Sequence, residues 1–264
     1  MRLWATNSQL LYMALLHALG VKKLRLNPIS PTFFANIAKI LGIESEYVDT
    51  RLDFGSEADI VHNFFESYTP SSLIVFQNHG KSVGDAKVFV KKSEGCLVAE
   101  FEDEELYQKT KLFLDGGVKR GRLWNYDVVS VGIKEKAKEC EVAGLEEKIA
   151  RSNEIVEFFD ERFAKNPYFD TLCIGKATYK TYYPILLKPA LYCPKEDIYQ
   201  ELRENGIAVE VRFKPLYKLT FFHSASMPVS EELYKAIMLL PLDKNIVEPL
   251  WEVLEKYRYR GCSF

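Results

Sequence analysis

The sequence lacks the features that define several classes of protein. No apolar stretch among its 264 residues is long enough to span a bilayer, and no Walker loop is present. The formal net charge is only -2, from 35 basic and 37 acidic residues, so no strong field attracts nucleic acid or an anionic membrane. We therefore expect neither nucleic acid nor a membrane as partner, which leaves small molecules and proteins.

Cysteine is also scarce. The chain has five cysteines, scattered and never in a Cys-x-x-Cys spacing, which favours reduced thiols in the cytoplasm and argues against a zinc site. The four histidines are too dispersed for a metal site, and His17 on an apolar helix is predicted to be a core or interface residue. Tyr12 and His17 interrupt the apolar stretch at 10–19, so this stretch predicts a first helix rather than a signal peptide.

Helices and strands alternate along the first half of the chain. Gly20 ends the helix at 10–19 before a strand at 22–26, and a helix from Pro31 to Gly42 precedes a strand at 46–49. A helix at 56–68 and an apolar strand at 73–76 continue the alternation. The pattern predicts an α/β fold whose three-layer, mainly parallel sheet is covered by helices on both faces.

A change of pattern in the middle of the chain predicts a second, smaller α+β domain. Residues 91–95 are expected to form a hairpin turn, residues 103–114 a helix and residues 116–121 a flexible break. A long amphipathic helix from Val142 then bridges to strands at 177–187 and 209–213 and a helix at 194–206. We therefore expect a large domain at 1–141 and a bridging helix with a small domain at 142–264.

The C-terminal motifs resemble one family of enzymes. The runs at 206–217, 227–233 and 239–242 give a helix, a glycine stop, a strand, a proline turn, a second helix and Leu-Pro-Leu, in that order. This order is similar to the small domain of the DegT/DnrJ family of sugar aminotransferases. The resemblance implies the aspartate-aminotransferase fold (fold type I), pyridoxal phosphate (PLP) as cofactor, a nucleotide-linked keto-sugar and an amino donor as substrates, and a homodimer. It also implies that this chain is shortened, because one strand-helix unit of the family has no counterpart before the catalytic strand.

Two segments resemble the family's phosphate-binding parts. Thr6-Asn7-Ser8 stands where members open with Ser-Gly-Thr, and hydroxyls and free N–H groups at a helix N-terminus bind phosphate. The family's Asn-Tyr-Arg-Met, which reaches the neighbouring subunit's phosphate, is replaced from Lys134 to Ala137, so Lys134 and Lys136 are left to supply positive charge.

The segment around Asn78 and His79 admits two alignments with the family. In one, Asn78 replaces the aspartate that pairs with the pyridine nitrogen of PLP; in the other, Asn78-His79-Gly80 matches an earlier strand end and the aspartate segment is missing. Both alignments weaken PLP chemistry, because a neutral amide does not keep the ring nitrogen protonated as a carboxylate does.

The resemblance also requires a lysine that joins the cofactor as a Schiff base ahead of a Glu-Gly pair. The candidates are Lys87, which has nearly the family's spacing but falls on a strand, and Lys91 and Lys92, which fall in the predicted turn close to Glu94. Two hypotheses stay open: a shortened PLP-dependent aminotransferase, and an inactive relative that serves as a binding or regulatory dimer. Because the phosphate-site glycine, the aspartate and the arginine are all altered, we expect the chain to take up PLP weakly or not at all.

Replacing Asn78 by aspartate separates these hypotheses. If PLP binds with Asn78 at its ring nitrogen, Asn78→Asp restores the charge that keeps that nitrogen protonated, and we expect faster half-transamination. Without a cofactor, a new buried charge destabilises the strand end by roughly a few kcal/mol. The melting temperature and the conversion of PLP by an amine are measured together; a lower melting temperature with no conversion contradicts the catalytic role of this position.

Overall fold

The computed structural model describes the chain at residues 1–49, 72–74, 77–78, 81–82, 88–93, 96–122, 125–139, 145–172, 180–211, 214–222 and 226–258, without side chains at 72–96 and 145–146. The predicted helix at 56–68 lies outside these residues. The helices are α1 (Ser8–Leu19), α2 (Thr32–Ile40), α3 (Glu104–Leu114), α4 (Leu145–Phe163), α5 (Lys195–Glu204), α6 (Pro228–Ala236) and α7 (Val247–Tyr257). The strands are β1 (Arg2–Ala5), β2 (Lys23–Leu26), β3 (Glu44–Tyr47), β4 (Ser72–Ile74), β5 (Gln77–Asn78), β6 (Lys81–Ser82), β7 (Val88–Ser93), β8 (Cys96–Phe101), β9 (Val118–Arg120), β10 (Tyr126–Val128), β11 (Phe169–Thr171), β12 (Tyr182–Leu187) and β13 (Ile237–Pro241).

The strand pairings confirm the α/β class but differ from the expected direction. The largest described sheet has the order β1-β8-β7-β4 and is antiparallel throughout, as is the sheet β11-β12-β13. Among the described strands, parallel pairing is confined to β2 and β3. Ser93 pairs with Cys96, and strands joined by so short a hairpin can pair only antiparallel. In this part of the chain the mainly parallel sheet is therefore not observed.

The first hydrophobic core joins three helices to the edge of the large sheet. Helix α1 buries Leu11 to Leu16 against α2, α3 and the strands β1 and β8. Two residues far along the chain, Leu216 and Phe222, belong to the same core, and the Leu216 N–H donates to the Pro28 carbonyl at 2.9 Å. The C-terminal half thus covers part of the N-terminal core.

The second core confirms the predicted amphipathic helix near 142. Helix α4 buries Val156, Phe159 and Phe163 against β12, α5 and α7. The Tyr183 hydroxyl donates to Asp160 at 2.6 Å, and burial together with this carboxylate raises the pKa of Tyr183. The division into domains at 1–141 and 142–264 stays a prediction, since Leu216 and Phe222 pack into the first core and a third cluster joins Ile29 to Leu233, Ile237 and Leu239.

Several local predictions are corrected by the structure. Lys91 and Lys92 lie within strand β7 rather than in a turn, because β7 and β8 pair as far as Ser93 and Cys96. The expected flexible break at 116–121 contains strand β9, which pairs with β10. Strand β3 ends at Tyr47, two residues before the predicted end.

The structure bears on two predictions about single side chains. His17 is exposed on the surface of α1 rather than in the core, with its ring 4.8 Å from that of Phe113, and its place in an interface stays a prediction. Cys193 is disulfide-bonded rather than a reduced thiol. The spacing of the cysteines along the chain did not indicate this bond. The cytoplasmic location therefore stays a prediction without support from Cys193.

Asp49 ties the first half of the chain to the start of α6. Its carboxylate accepts hydrogen bonds from the N–H groups of Val229 and Ser230, at 3.1 and 2.9 Å, and from the Ser230 hydroxyl. A carboxylate at a helix N-terminus satisfies N–H groups that have no partner within the helix. Asp49 therefore fixes a contact between segments that are distant in the sequence.

Tyr217 and Glu231 extend this contact on the same helix. The Tyr217 hydroxyl donates to Glu231 at 3.0 Å, and burial followed by this hydrogen bond raises the pKa of Tyr217 to about 12. Lys218 pairs with the same carboxylate at 2.5 Å. Both halves of the chain thus meet at the first turn of α6 through charged hydrogen bonds.

Candidate functional site

The N-terminus of α1 carries three residues that the sequence indicated as phosphate-binding. Asn7 is the N-cap, and its side-chain oxygen accepts from the N–H groups of Gln9 and Leu10 at 2.8 and 3.3 Å. Ser8 is the first helical residue, and Thr6 and Asn7 are exposed. The cap leaves the N–H groups of Thr6 and Asn7 free to bind another acceptor.

That acceptor is a carboxylate from a distant part of the chain. Glu135 Oε1 receives three hydrogen bonds, from the Thr6 N–H at 2.6 Å, the Thr6 hydroxyl at 2.8 Å and the Asn7 N–H at 2.9 Å. We call these three donors the anion site. Their convergence on one charged oxygen at the positive end of a helix is the arrangement that binds anions in proteins.

The backbone around Glu135 is held by the end of α3. The N–H groups of Ile133 and Glu135 donate to the carbonyls of Phe113 and Leu114, both at 2.8 Å. Between these segments the chain turns at Gly116 and Gly117, both with positive φ, and a Cβ at Gly117 would overlap the Ser130 carbonyl. Only glycine fits this crossing, so the turn fixes where Glu135 lies.

The other candidate phosphate ligands lie beside Glu135. Lys134 and Lys136 are exposed, and Lys134 forms an isolated backbone bridge with Asp115. The structure therefore brings together Thr6, Asn7 and the segment of both lysines. In this chain the side chain that contacts the helix is the glutamate between them.

Two candidate lysines lie on a strand of the same sheet. Ala5, the residue before Thr6, pairs with Leu97, and Leu97 pairs with Lys92 on the next strand. Two strand spacings separate Ala5 from Lys92, a distance of about 10 Å. Lys91 lies in the adjacent row with Val98 and Trp4. The backbone therefore places Lys92 level with Ala5 across the sheet, and Ala5 is the residue directly before the anion site.

The remaining candidates are only partly described. Asn78 lies on β5, and its backbone pairs with Lys81 of β6. His79 and Lys87 lie outside the described residues. The roles of these residues, and of Lys91 and Lys92, stay predictions.

Sequence reasoning missed Glu135. The available signal was an acidic residue between two lysines that were themselves candidates for binding phosphate. Nothing in the local sequence indicates that Glu135 reaches a helix 129 residues earlier in the chain.

Comparison with known proteins identifies the family. The model of the DegT/DnrJ/EryC1/StrS aminotransferase family matches residues 85–255. The chain belongs to this family. The match includes Lys87, Lys91, Lys92 and Lys134 to Lys136, and it extends through α7 as far as Glu255.

Relatives of the chain include two proteins of Campylobacter jejuni. Each is called UDP-4-amino-4,6-dideoxy-N-acetyl-beta-L-altrosamine transaminase. The one from serotype O:2 is 31% identical over 190 residues, covering 64% of this chain and 50% of the relative. The one from serotype O:23/36 is 26% identical over 314 residues, covering 93% of this chain and 83% of the relative. The chain thus spans about half the length of the first relative and most of the second.

Solved structures confirm the fold. Helicobacter pylori PseC, an aminotransferase involved in the biosynthesis of pseudoaminic acid, superposes with a TM-score of 0.76 at 19% identity, over 98% of this chain and 87% of that one. The PLP form of the sugar aminotransferase Spr1654 from Streptococcus pneumoniae gives a TM-score of 0.74 at 17% identity, over 97% and 87% of the two chains. The fold expected from the resemblance, that of the PLP-dependent sugar aminotransferases of fold type I, is therefore confirmed.

Two other features are not found among the described residues. None of the described helices is both long and apolar enough to cross a membrane. Within the same residues, no group of three or more His, Cys, Asp and Glu side chains is arranged to hold a metal ion.

Replacing Gly117 by alanine tests how Glu135 is positioned. We expect Gly117→Ala to destabilise the fold by about 3 kcal/mol or more, because the methyl group meets the Ser130 carbonyl in addition to the strain of positive φ. The amides of Thr6 and Asn7 should then exchange faster with deuterium. Urea unfolding and hydrogen exchange measure the two effects.

Gly20→Ala is the matched control. Gly20 has a similar φ of 63°, but a Cβ there meets nothing within 4 Å, so the loss should be about 1 kcal/mol with no change at Thr6. Equal losses for both variants, with unchanged exchange at Thr6, would show that the crossing does not hold Glu135 in place.

Proposed function

We propose that this chain transfers an amino group to a nucleotide-linked keto-sugar, with PLP as its cofactor. The observation that carries the proposal is the anion site, where three donors of Thr6 and Asn7 already hold a carboxylate oxygen. Glu135 acts there as a stand-in for an anionic ligand, and the family resemblance assigns the cofactor phosphate to the same turn. The donor set thus fits a phosphate.

Each candidate residue has a proposed role around such a cofactor. Thr6 and Asn7, with Ser8 beside them, bind the phosphate, and Lys134 and Lys136 add positive charge near it. In the alignment that matches Asn78 to the family's aspartate, Asn78 would face the ring nitrogen, followed by His79, and one of the three candidate lysines would supply the neutral amine. When bound, PLP supplies the electron sink that amino transfer requires.

The substrate class comes from the relatives. Both Campylobacter proteins are named as transaminases of a UDP-linked amino sugar, and one of them covers 93% of this chain. We extend this class to the present chain as a nucleotide-linked sugar. No comparison supports the alternative of an inactive relative, since the relatives and structures described above are all named as transaminases or aminotransferases.

Trapping the cofactor tests the proposed activity. After incubation with PLP and reduction with borohydride, we expect the cofactor to be fixed to Lys87, Lys91 or Lys92, as located by peptide mass spectrometry. Replacing that lysine by alanine should abolish both the trapping and amino transfer to a UDP-linked keto-sugar, because no other neutral amine is then held beside the cofactor.

Lys119→Ala, which removes an exposed lysine of β9, is the control and should change neither measurement. Failure of the wild-type chain to retain PLP on any of the three lysines would refute the proposed activity.

We also propose that two copies of the chain form a dimer. Large apolar side chains are exposed between 126 and 133, including Tyr126 at 64%, Val128 at 62% and Val131 at 75%. A contiguous exposed apolar segment marks an interaction surface, and the family resemblance assigns the residues that follow it, 134–137, to the phosphate of the neighbouring subunit.

Sedimentation at micromolar concentration tests the dimer. We expect Val131→Lys to shift the wild-type dimer towards the 30.5 kDa monomer, because a charge at the interface loses its hydration. Ile40→Lys, at a side chain of α2 that is 68% exposed, should leave the dimer intact. A wild-type chain that sediments only as a monomer would exclude the proposed assembly.

A further inference from the structure

The anion site is filled by the chain's own carboxylate, and this has a consequence for ligand binding. We propose that Glu135 is a built-in competitor for the phosphate group: its side chain must leave the anion site before a phosphate-bearing ligand can bind. Glu135 then sets the affinity of the chain for that ligand. The inference rests on the proposed function, since it takes the ligand to carry a phosphate at this turn.

The first step of the argument is that the same donors cannot serve two anions. All three hydrogen bonds of the anion site end on one atom, Glu135 Oε1, at 2.6 to 2.9 Å. A phosphate oxygen bound by the same three donors would occupy the position of Oε1. Two like charges in contact at a helix N-terminus repel each other, so binding is exclusive.

The second step is that Glu135 fills the site incompletely. Its other oxygen, Oε2, is buried and accepts no hydrogen bond from the described residues. A buried acceptor without a partner is unfavourable, so the bound carboxylate is less stable than its three hydrogen bonds suggest. A phosphate, with three terminal oxygens and a larger charge, makes stronger charge-assisted hydrogen bonds with the same donors.

The third step is that release requires only a side-chain rotation. The backbone of residues 133 and 135 is bonded to the carbonyls of Phe113 and Leu114, and these bonds do not involve the carboxylate. The segment therefore stays in place when the Glu135 side chain turns outward. Lys134 and Lys136, both exposed, remain close to the site. The contact accordingly offers a physical cause for the weak PLP uptake expected from the sequence.

Glu135→Gln tests this competition. The variant keeps the shape of the side chain but removes the charge that strengthens its hydrogen bonds. We expect it to bind inorganic phosphate and PLP about tenfold more tightly than the wild type, which corresponds to about 1.4 kcal/mol. Pyridoxal, which lacks the phosphate, should bind both proteins equally. Isothermal titration calorimetry with each of the three ligands measures these affinities.

Two further variants keep the test specific. Glu139→Gln makes the same charge change at an exposed residue of the same segment and should leave all affinities at the wild-type value. Glu135→Asp keeps the charge but shortens the reach by one methylene, so it should tighten phosphate binding as Glu135→Gln does. It also provides the comparison if Glu135→Gln does not fold.

The outcomes distinguish this inference from the proposed function. If the wild type and both Glu135 variants bind phosphate with the same affinity as one another, and likewise PLP, the competition is overturned while PLP remains the cofactor. A gain for pyridoxal equal to that for PLP would also overturn it, because the effect would not act on the phosphate. If no variant binds phosphate or PLP, the competition and the proposed cofactor are both refuted.

Discussion

The N–H groups at the start of α1 are the constraint around which the N-terminal half is organised. The first turn of a helix leaves backbone donors that no residue within the helix can satisfy. Asn7 satisfies two of them with its own side chain, and Glu135 accepts from the two N–H groups just before the helix. Strand β1 brings the chain to this point, while the end of α3 and the glycine turn bring Glu135 there. The anion site therefore follows from the need of the N–H groups at a helix start for acceptors outside the helix.

A second carboxylate accepts from another helix N-terminus in the same way. Asp49 accepts from the first N–H groups of α6, and Leu216 enters the core formed by α1, α2 and α3 and donates to the Pro28 carbonyl. The Asp49–Val229 and Pro28–Leu216 hydrogen bonds each join residues that are 180 or more apart in the sequence. Charged side chains at helix N-termini thus fix the long-range arrangement of the chain, and apolar burial stabilises it.

Membership of the DegT/DnrJ/EryC1/StrS family and altered cofactor motifs coexist in this chain. The family model begins at residue 85, whereas the turn at Thr6 and the segment at Asn78 precede the matched residues. The hydroxyl and N–H groups at the turn still bind an anion, so the loss of the family's glycine has not removed the anion site. In the alignment that matches Asn78 to the family's aspartate, the change from carboxylate to amide would weaken control over the ring nitrogen of PLP, and this role of Asn78 stays a prediction.

The sequence by itself predicted α4 and the ends of three other helices. Gly20, Gly42 and Gly206 all adopt positive φ at or just after the ends of α1, α2 and α5, as their positions predicted, and the apolar spacing after residue 142 predicted α4. These features depend on neighbouring residues, so a local pattern is sufficient. The family resemblance also came from motifs that are local and ordered along the chain.

Only the tertiary structure decided the direction of the large sheet, the exposure of His17 and the occupant of the anion site. The direction of a strand in the sheet follows from which strands become its neighbours. Lys91 and Lys92 lie on β7 because its pairing with β8 extends to Ser93 and Cys96, farther than the sequence predicted. Glu135 reaches Thr6 across 129 residues, through a backbone crossing that two glycines permit. No local pattern encodes such a contact, because it exists only once α3 has packed against α1.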